Sequence, residues 1–194
     1  MSPLRPLLIW TGVVLALAVP VALSLLSPLL AWRDPVYIAA GFAGVLAMSV
    51  LLLQPLLAMG VLPGLMGMKG RRLHRWTGAT LVGLIVVHLA GLWITSPPDV
   101  VDALLFASPT PFTPWGVIAM WAVFGAGLLA QFRKRLRPRH WRRIHTGLAV
   151  VIVLGSVVHA MLIEGTMEFL TKSALCALVL VATAIAVARV WKPR

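Results

Sequence analysis

Two apolar segments of this chain each carry a pair of histidines at the same spacing. The first segment reads RRLH up to His74 and VVH up to His88, and the second reads RRIH up to His145 and VVH up to His159. The members of each pair are 14 residues apart. On an α-helix that interval returns to within about 40° of the starting direction and rises by roughly 21 Å. Each helix would therefore present two imidazoles on one face, at two depths of a hydrocarbon core about 30 Å thick.

Imidazoles at matched depths are the arrangement that binds haem iron through two axial ligands. One further apolar segment separates the two that carry histidines, so as membrane spans they run in the same direction. His74 then pairs by depth with His145, and His88 pairs with His159. Each pair can supply both axial ligands of one iron. The sequence therefore predicts two b-type haems, one near each membrane surface.

Two other interpretations of the histidines are weaker. A zinc site needs three or four protein ligands around one ion, and the roughly 21 Å between the two depths keeps the four imidazoles apart. An ordinary buried histidine would explain any one of them, but ionisable side chains inside a bilayer are costly and usually functional. His74 and His145 lie at a membrane interface, where a single histidine is common, so their case depends on the matched spacing.

An arginine lies two residues before each of the histidines near the basic loops. These residues, Arg72 and Arg143, could bind the propionates of the haem on that side through charge-assisted hydrogen bonds. The alternative is that they set the topology of the chain and contact phospholipid headgroups, which explains most of the basic residues in the sequence.

The composition requires a membrane. Of 194 residues, 60% are hydrophobic and only 11% are charged, too few charges for a water-soluble surface. Six apolar stretches are long enough to cross a bilayer, and they lie at approximately 7–31, 36–59, 73–95, 114–132, 143–163 and 169–190. The sequence predicts an all-α, polytopic membrane protein with a single domain over 1–194, in which six transmembrane helices form a haem-binding bundle.

The distribution of charge predicts the orientation. With six spans, all but two of the 17 lysines and arginines fall on the side that both termini share, the exceptions being Arg33 and Lys172, and all five acidic residues fall on the other side. The positive-inside rule then places both termini in the cytoplasm. The net charge of +12 does not indicate nucleic-acid binding, because the basic residues occupy short loops beside the spans, where anionic membrane lipid is their partner.

The sequence resembles the ferric reductase-like transmembrane domain family, which includes ferric reductases, NADPH oxidases and the haem subunit of the bacterial methionine sulfoxide reductase system. The resemblance rests on DPVYIAAGFAG at the second span, RRLH…VVH in the third and RHWRRIH…VVH in the fifth. It implies histidine-ligated b-type haems that carry electrons across the bilayer. The methionine sulfoxide reductase subunit lacks a histidine at the position of His74, so the ligand set is more similar to the oxidase and ferric reductase branch.

The resemblance implies an electron-transfer subunit in the bacterial inner membrane. The oxidases carry a cytoplasmic flavin and NADPH domain that is not present in this sequence, so we expect electrons to arrive from a separate cytoplasmic flavoprotein or from quinol. The expected acceptor is periplasmic, such as ferric iron or a partner reductase. One rival is a terminal oxidoreductase that reduces ferric iron or oxygen directly at the outer haem. The non-redox rival is a small transporter or assembly protein with incidental histidines.

Overall fold

The protein is a bundle of long helices joined by short turns. The structure, a computed structural model, describes residues 4–191, and that range contains no β-strand. The α-helices are α1 (Leu4–Leu25), α2 (Pro35–Met59), α3 (Gly67–Thr95), α4 (Pro97–Leu104), α5 (Thr113–Gln131), α6 (Pro138–Leu162) and α7 (Phe169–Trp191). All except α4 are long and apolar enough to cross a membrane. The prediction of an all-α chain with six such helices is confirmed; the fifth predicted span is α6.

Three predicted boundaries were wrong, each for a local reason. Helix α1 ends at Leu25 rather than near residue 31, because Ser27 caps a separate 3₁₀ turn that begins at Pro28. Helix α3 begins at Gly67 rather than near residue 73, so two glycines that looked like loop residues lie in its first turn. Helix α6 begins at Pro138 rather than near residue 143, because proline is well suited to the first turn of a helix, where its missing N–H is not needed.

The long helices form a closed ring. In order around the ring α3 packs against α2, α2 against α7, α7 against α6, α6 against α5, and α5 returns to α3. Helix α1 packs outside the ring against α2 and α7, and the short α4 packs against α3 and α5. The two histidine-bearing helices, α3 and α6, are therefore not neighbours in the ring, and their inward faces are directed towards the same interior.

Two antiparallel helix pairs, α2–α3 and α5–α6, are held close by glycines. A Cβ atom added at Gly91 of α3 would lie 2.7 Å from the Cβ of Ala40, and one added at Gly155 of α6 would lie 3.0 Å from the Cβ of Ala119. Neither distance leaves room for a side chain. Small residues at such crossings let the backbones of membrane helices approach closely, and here this brings each histidine-bearing helix next to its partner.

The two ends of the bundle differ in charge. Most basic residues lie in the α2–α3 and α5–α6 connections and in the first turns of α3 and α6, and we call this end the basic end. The acidic residues Asp34, Asp99, Asp102, Glu164 and Glu168 lie at the opposite end, which we call the acidic end. Lys192 and Arg194, which also entered the orientation prediction, lie outside the described residues.

The charge distribution predicts that the basic end faces the cytoplasm, and cysteine labelling tests this. The natural Cys176 is 3% exposed, so it gives little background. We expect an impermeant maleimide to label Ala107→Cys, at the acidic end, in intact cells. Arg135→Cys, at the basic end, should be labelled only after permeabilisation, and the reverse pattern would contradict the orientation.

Candidate functional site

The four predicted ligands lie on the inward faces of α3 and α6 at two levels. The imidazole rings of His74 and His145 meet across the interior, with their centroids 6.2 Å apart and their planes at 73°. An iron bound to two imidazole nitrogens at about 2 Å each holds the ring centroids about 6 Å apart. The angle is no obstacle, because each ring can rotate about its bond to the metal. At the second level, a charge on His88 would be felt by His159, so these two imidazoles also lie near each other.

Three of the four imidazoles are oriented by backbone carbonyl groups of the neighbouring helix. The Nδ1 atom of His88 lies 2.7 Å from the carbonyl oxygen of Ala40, and that of His74 lies 3.2 Å from the carbonyl oxygen of Gln54. The Nδ1 atom of His159 lies 2.9 Å from the carbonyl oxygen of Phe112. A carbonyl oxygen can only accept, so Nδ1 carries the proton and donates it in all three bonds. The Nε2 atom is then left with its lone pair, the form in which histidine binds a metal.

Glycine makes room for the two imidazoles nearer the acidic end. A Cβ added at Gly44 would lie 3.3 Å from both Nδ1 and Cε1 of His88, and one added at Gly116 would lie 2.6 Å and 2.7 Å from the same atoms of His159. Each glycine lies four residues after the carbonyl group that accepts the hydrogen bond. The edge of each imidazole therefore rests on the backbone of the helix to which it is bonded, and at Gly116 no larger residue fits.

His145 is positioned differently from the other three. Its ring stacks on the indole of Trp141, one helical turn earlier, with the centroids 5.0 Å apart and the planes at 10°. Its Nδ1 and the indole Nε1 of Trp141 are both buried, and neither has a hydrogen-bond partner among the described residues. Two buried donors without an acceptor are costly, so this position suits a ligand that brings acceptor atoms, as a haem propionate would.

A polar contact strengthens the first level on the side of α2. The side chain of Gln54 donates from Nε2 to the hydroxyl of Thr77 at 2.8 Å, while the backbone carbonyl of the same residue accepts from His74. A single residue of α2 therefore holds α3 at two points. This ties the orientation of the His74 imidazole to the packing of the two helices.

An apolar layer separates the two histidine levels. Leu81 lies midway between His74 and His88, and Ile152 lies midway between His145 and His159; both are buried. The corresponding residues of α2 and α5, Ala47 and Ala119, are buried as well. Seven residues are close to two full helical turns, so all four side chains point to the same interior as the histidines. The interior between the levels therefore has no polar side chain at these positions.

Arg72 and Arg143 lie at the basic end, and both side chains are exposed. Two residues correspond to about 200° on a helix, whereas three correspond to about 300°. The side chains of Arg71 and Arg142, three residues before His74 and His145, consequently project closer to the imidazoles. In the structure the Arg142 Nε donates to the carbonyl oxygen of Pro138 at 3.3 Å.

Residues 4–191 contain no cluster of three or more histidine, cysteine, aspartate or glutamate side chains that could hold a metal ion. Each level instead offers two imidazoles facing each other across the interior. Two such ligands suffice for a metal whose remaining ligands come from a macrocycle. The residues therefore fit haem, in the number of ligands, in their protonation and in the space that Gly44 and Gly116 leave.

The sequence analysis missed the residues that position the imidazoles. It treated Trp141 as an interfacial anchor, although its place four residues before His145 puts both on one helix face. The acceptor carbonyls of Ala40, Gln54 and Phe112 have no signal in a single sequence, because every residue carries a carbonyl group.

Comparison with known proteins gives one match. Residues 40–156 match the family described as the ferric reductase like transmembrane component. The matched range contains three of the four histidines, and His159 lies just beyond it. No curated protein and no solved structure matches the chain.

The contact between Gly116 and His159 predicts a specific effect of one methyl group. Gly116→Ala should displace the imidazole and lower the haem bound per purified chain at least twofold. Alanine normally stabilises a helix by about 1 kcal/mol relative to glycine, so propensity alone would act in the opposite direction. Gly41→Ala, in α2 with open space around the new Cβ, is the control and should retain haem. Equal haem in both variants would contradict the proposed role of Gly116.

Proposed function

The chain belongs to the ferric reductase-like transmembrane component family, and from that membership and the paired histidines we propose that it is a b-type cytochrome that carries electrons across a bacterial inner membrane. The family supports a redox role in a membrane. The observation that carries the finer proposal is the pair of buried imidazoles, His74 and His145, whose ring centroids lie 6.2 Å apart. His88 and His159, 14 residues further along the same helices, would hold the second haem.

Within this proposal, bound haem supplies one-electron transfer at its iron, and the protein supplies position and environment. The carbonyl oxygens that accept from Nδ1 increase the basicity of Nε2 and fix the direction of each ligand. The apolar layer around Leu81 and Ile152 keeps water and protons away from the space between the two levels. Electrons and protons would therefore cross this space separately.

The charge of the bundle suggests where electrons enter and leave. The basic end, which we propose faces the cytoplasm, would attract an acidic surface of a flavoprotein donor; quinol in the membrane is the other proposed donor. The acidic end would deliver electrons to a periplasmic acceptor, which could be ferric iron or a partner reductase. The exposed apolar side chains on the outside of the helices, among them Leu8, Val14 and Val181, would contact lipid.

Reduced-minus-oxidised spectra of the purified protein, with haem quantified per chain, test the proposal. We expect two b-type haems in the wild type and one in each of His88→Ala and His145→Ala, because each variant removes one axial ligand from a different level. His140→Ala is the matched control, since His140 is exposed on the same helix as His145. Absence of haem from wild-type protein grown with ample haem would favour the non-redox alternative.

The arginines at the basic end give a second test. We propose that one or more of them bind the propionates of the haem held by His74 and His145, and helix geometry favours Arg71 and Arg142 over Arg72 and Arg143. Removing a cation from a propionate should lower the midpoint potential of this haem. We expect Arg71→Gln and Arg142→Gln to lower it more than Arg72→Gln and Arg143→Gln do. A larger effect of the second pair in a redox titration would support the assignment made from sequence alone.

A further inference from the structure

Lys172 is a buried cation at the end of the bundle where cations are rare. It lies in the first turn of α7, at the acidic end, and is 7% exposed. Its Nζ donates to the carbonyl oxygen of Ile163 at 2.7 Å. An ammonium group has three donors, and among the described residues this is the hydrogen bond that its side chain makes. Burying a charge without a counter-charge is strongly unfavourable.

The nearest acid in the sequence is committed elsewhere. Both carboxylate oxygens of Glu168 accept hydrogen bonds from the first turn of α7, Oε1 from the backbone N–H of Leu170 at 2.7 Å and Oε2 from that of Thr171 at 2.8 Å. The N–H groups of Thr171 and Leu170 lower the pKa of Glu168, so the carboxylate stays ionised in this capping role. It is exposed, whereas Lys172 points inward, and it leaves the buried ammonium without a counter-charge.

The position of Lys172 relates it to the second histidine level. Ile163, whose carbonyl oxygen it contacts, lies four residues after His159 and receives the hydrogen bond pattern of the same helix through the Ile163 N–H to His159 carbonyl bond of 3.2 Å. Four residues correspond to one helical turn, a rise of about 6 Å and nearly the same face. The ammonium group therefore lies about one turn beyond His159, towards the acidic end. The same face of α7 continues inward with Cys176 and Val179, both buried.

We propose that Lys172 binds a propionate carboxylate of the haem held by His88 and His159. The assignment rests on the proposed function, since it needs a haem at that level. A carboxylate would supply the counter-charge that the buried ammonium lacks and would accept one of its remaining donors. Lys172 would then position this haem along the membrane normal, while its contact with Ile163 holds the end of α6.

Three substitutions separate the charge of Lys172 from its contact with α6. Lys172→Met removes both, Lys172→Gln removes the charge but keeps a donor for the Ile163 carbonyl, and Lys172→Arg keeps both. Arg33→Met is the matched control, because Arg33 is the other basic residue assigned to the acidic end and its side chain lies over Tyr37 on the outside. The readouts are haem per chain, the midpoint potential of each haem and the thermal unfolding midpoint of the protein.

We expect Lys172→Met and Lys172→Gln to make the haem that His159→Ala eliminates harder to reduce by about tenfold, which for one electron is about 59 mV. Lys172→Arg and Arg33→Met should leave its potential near that of the wild type. Should Lys172→Met not accumulate, the comparison of Lys172→Gln with Lys172→Arg decides the matter. Unchanged potentials in Lys172→Gln, with two haems bound, would overturn the role of Lys172 alone, whereas wild-type protein without haem would overturn the proposed function.

Discussion

The fold depends on how a histidine is satisfied inside a membrane. An imidazole has two nitrogens, and in hydrocarbon an unpaired polar group costs several kcal/mol. Here the backbone of the neighbouring helix takes one nitrogen, through the carbonyl groups of Ala40, Gln54 and Phe112. The other nitrogen is left with a lone pair directed to the interior. A carbonyl oxygen already bonded within its own helix can accept this second bond because it has two lone pairs, so the helices remain intact.

The other features of the bundle follow from bringing a helix backbone within reach of an imidazole. The glycines Gly91 and Gly155 let the two antiparallel pairs approach closely, and Gly44 and Gly116 let the rings rest on the backbone. The pairs α2–α3 and α5–α6 thereby carry out the same task with different residues. Closure of the ring through α5 and α3 then directs both sets of imidazoles at one interior, which is why ligands from helices that are not neighbours can meet.

The sequence predicts much of this structure because its strongest signals are periodic. The apolar runs predict the six long helices, and the interval of 14 residues predicts that His74 and His88 share a face. Helix ends were harder to predict, since Pro138 and Gly67 can equally begin a helix or interrupt one. The acceptors of the imidazole hydrogen bonds could not be predicted, because a backbone carbonyl has no sequence signature. Trp141 could have been found, since its spacing from His145 is one turn, but a tryptophan near a membrane surface has a simpler explanation.

The two levels differ in how charge reaches them. The basic end has many arginines, but those before the histidines are exposed, and water and salt weaken the field of an exposed charge. The acidic end has few cations, yet Lys172 is buried, where a lower dielectric makes each charge act more strongly. An exposed arginine can also follow a ligand or leave it, whereas the ammonium held by the end of α6 cannot move far. A single buried lysine can therefore outweigh a larger number of exposed arginines in fixing an anion. On this argument the net charge of each end governs orientation in the membrane, and the burial of individual charges governs the properties of the two sites.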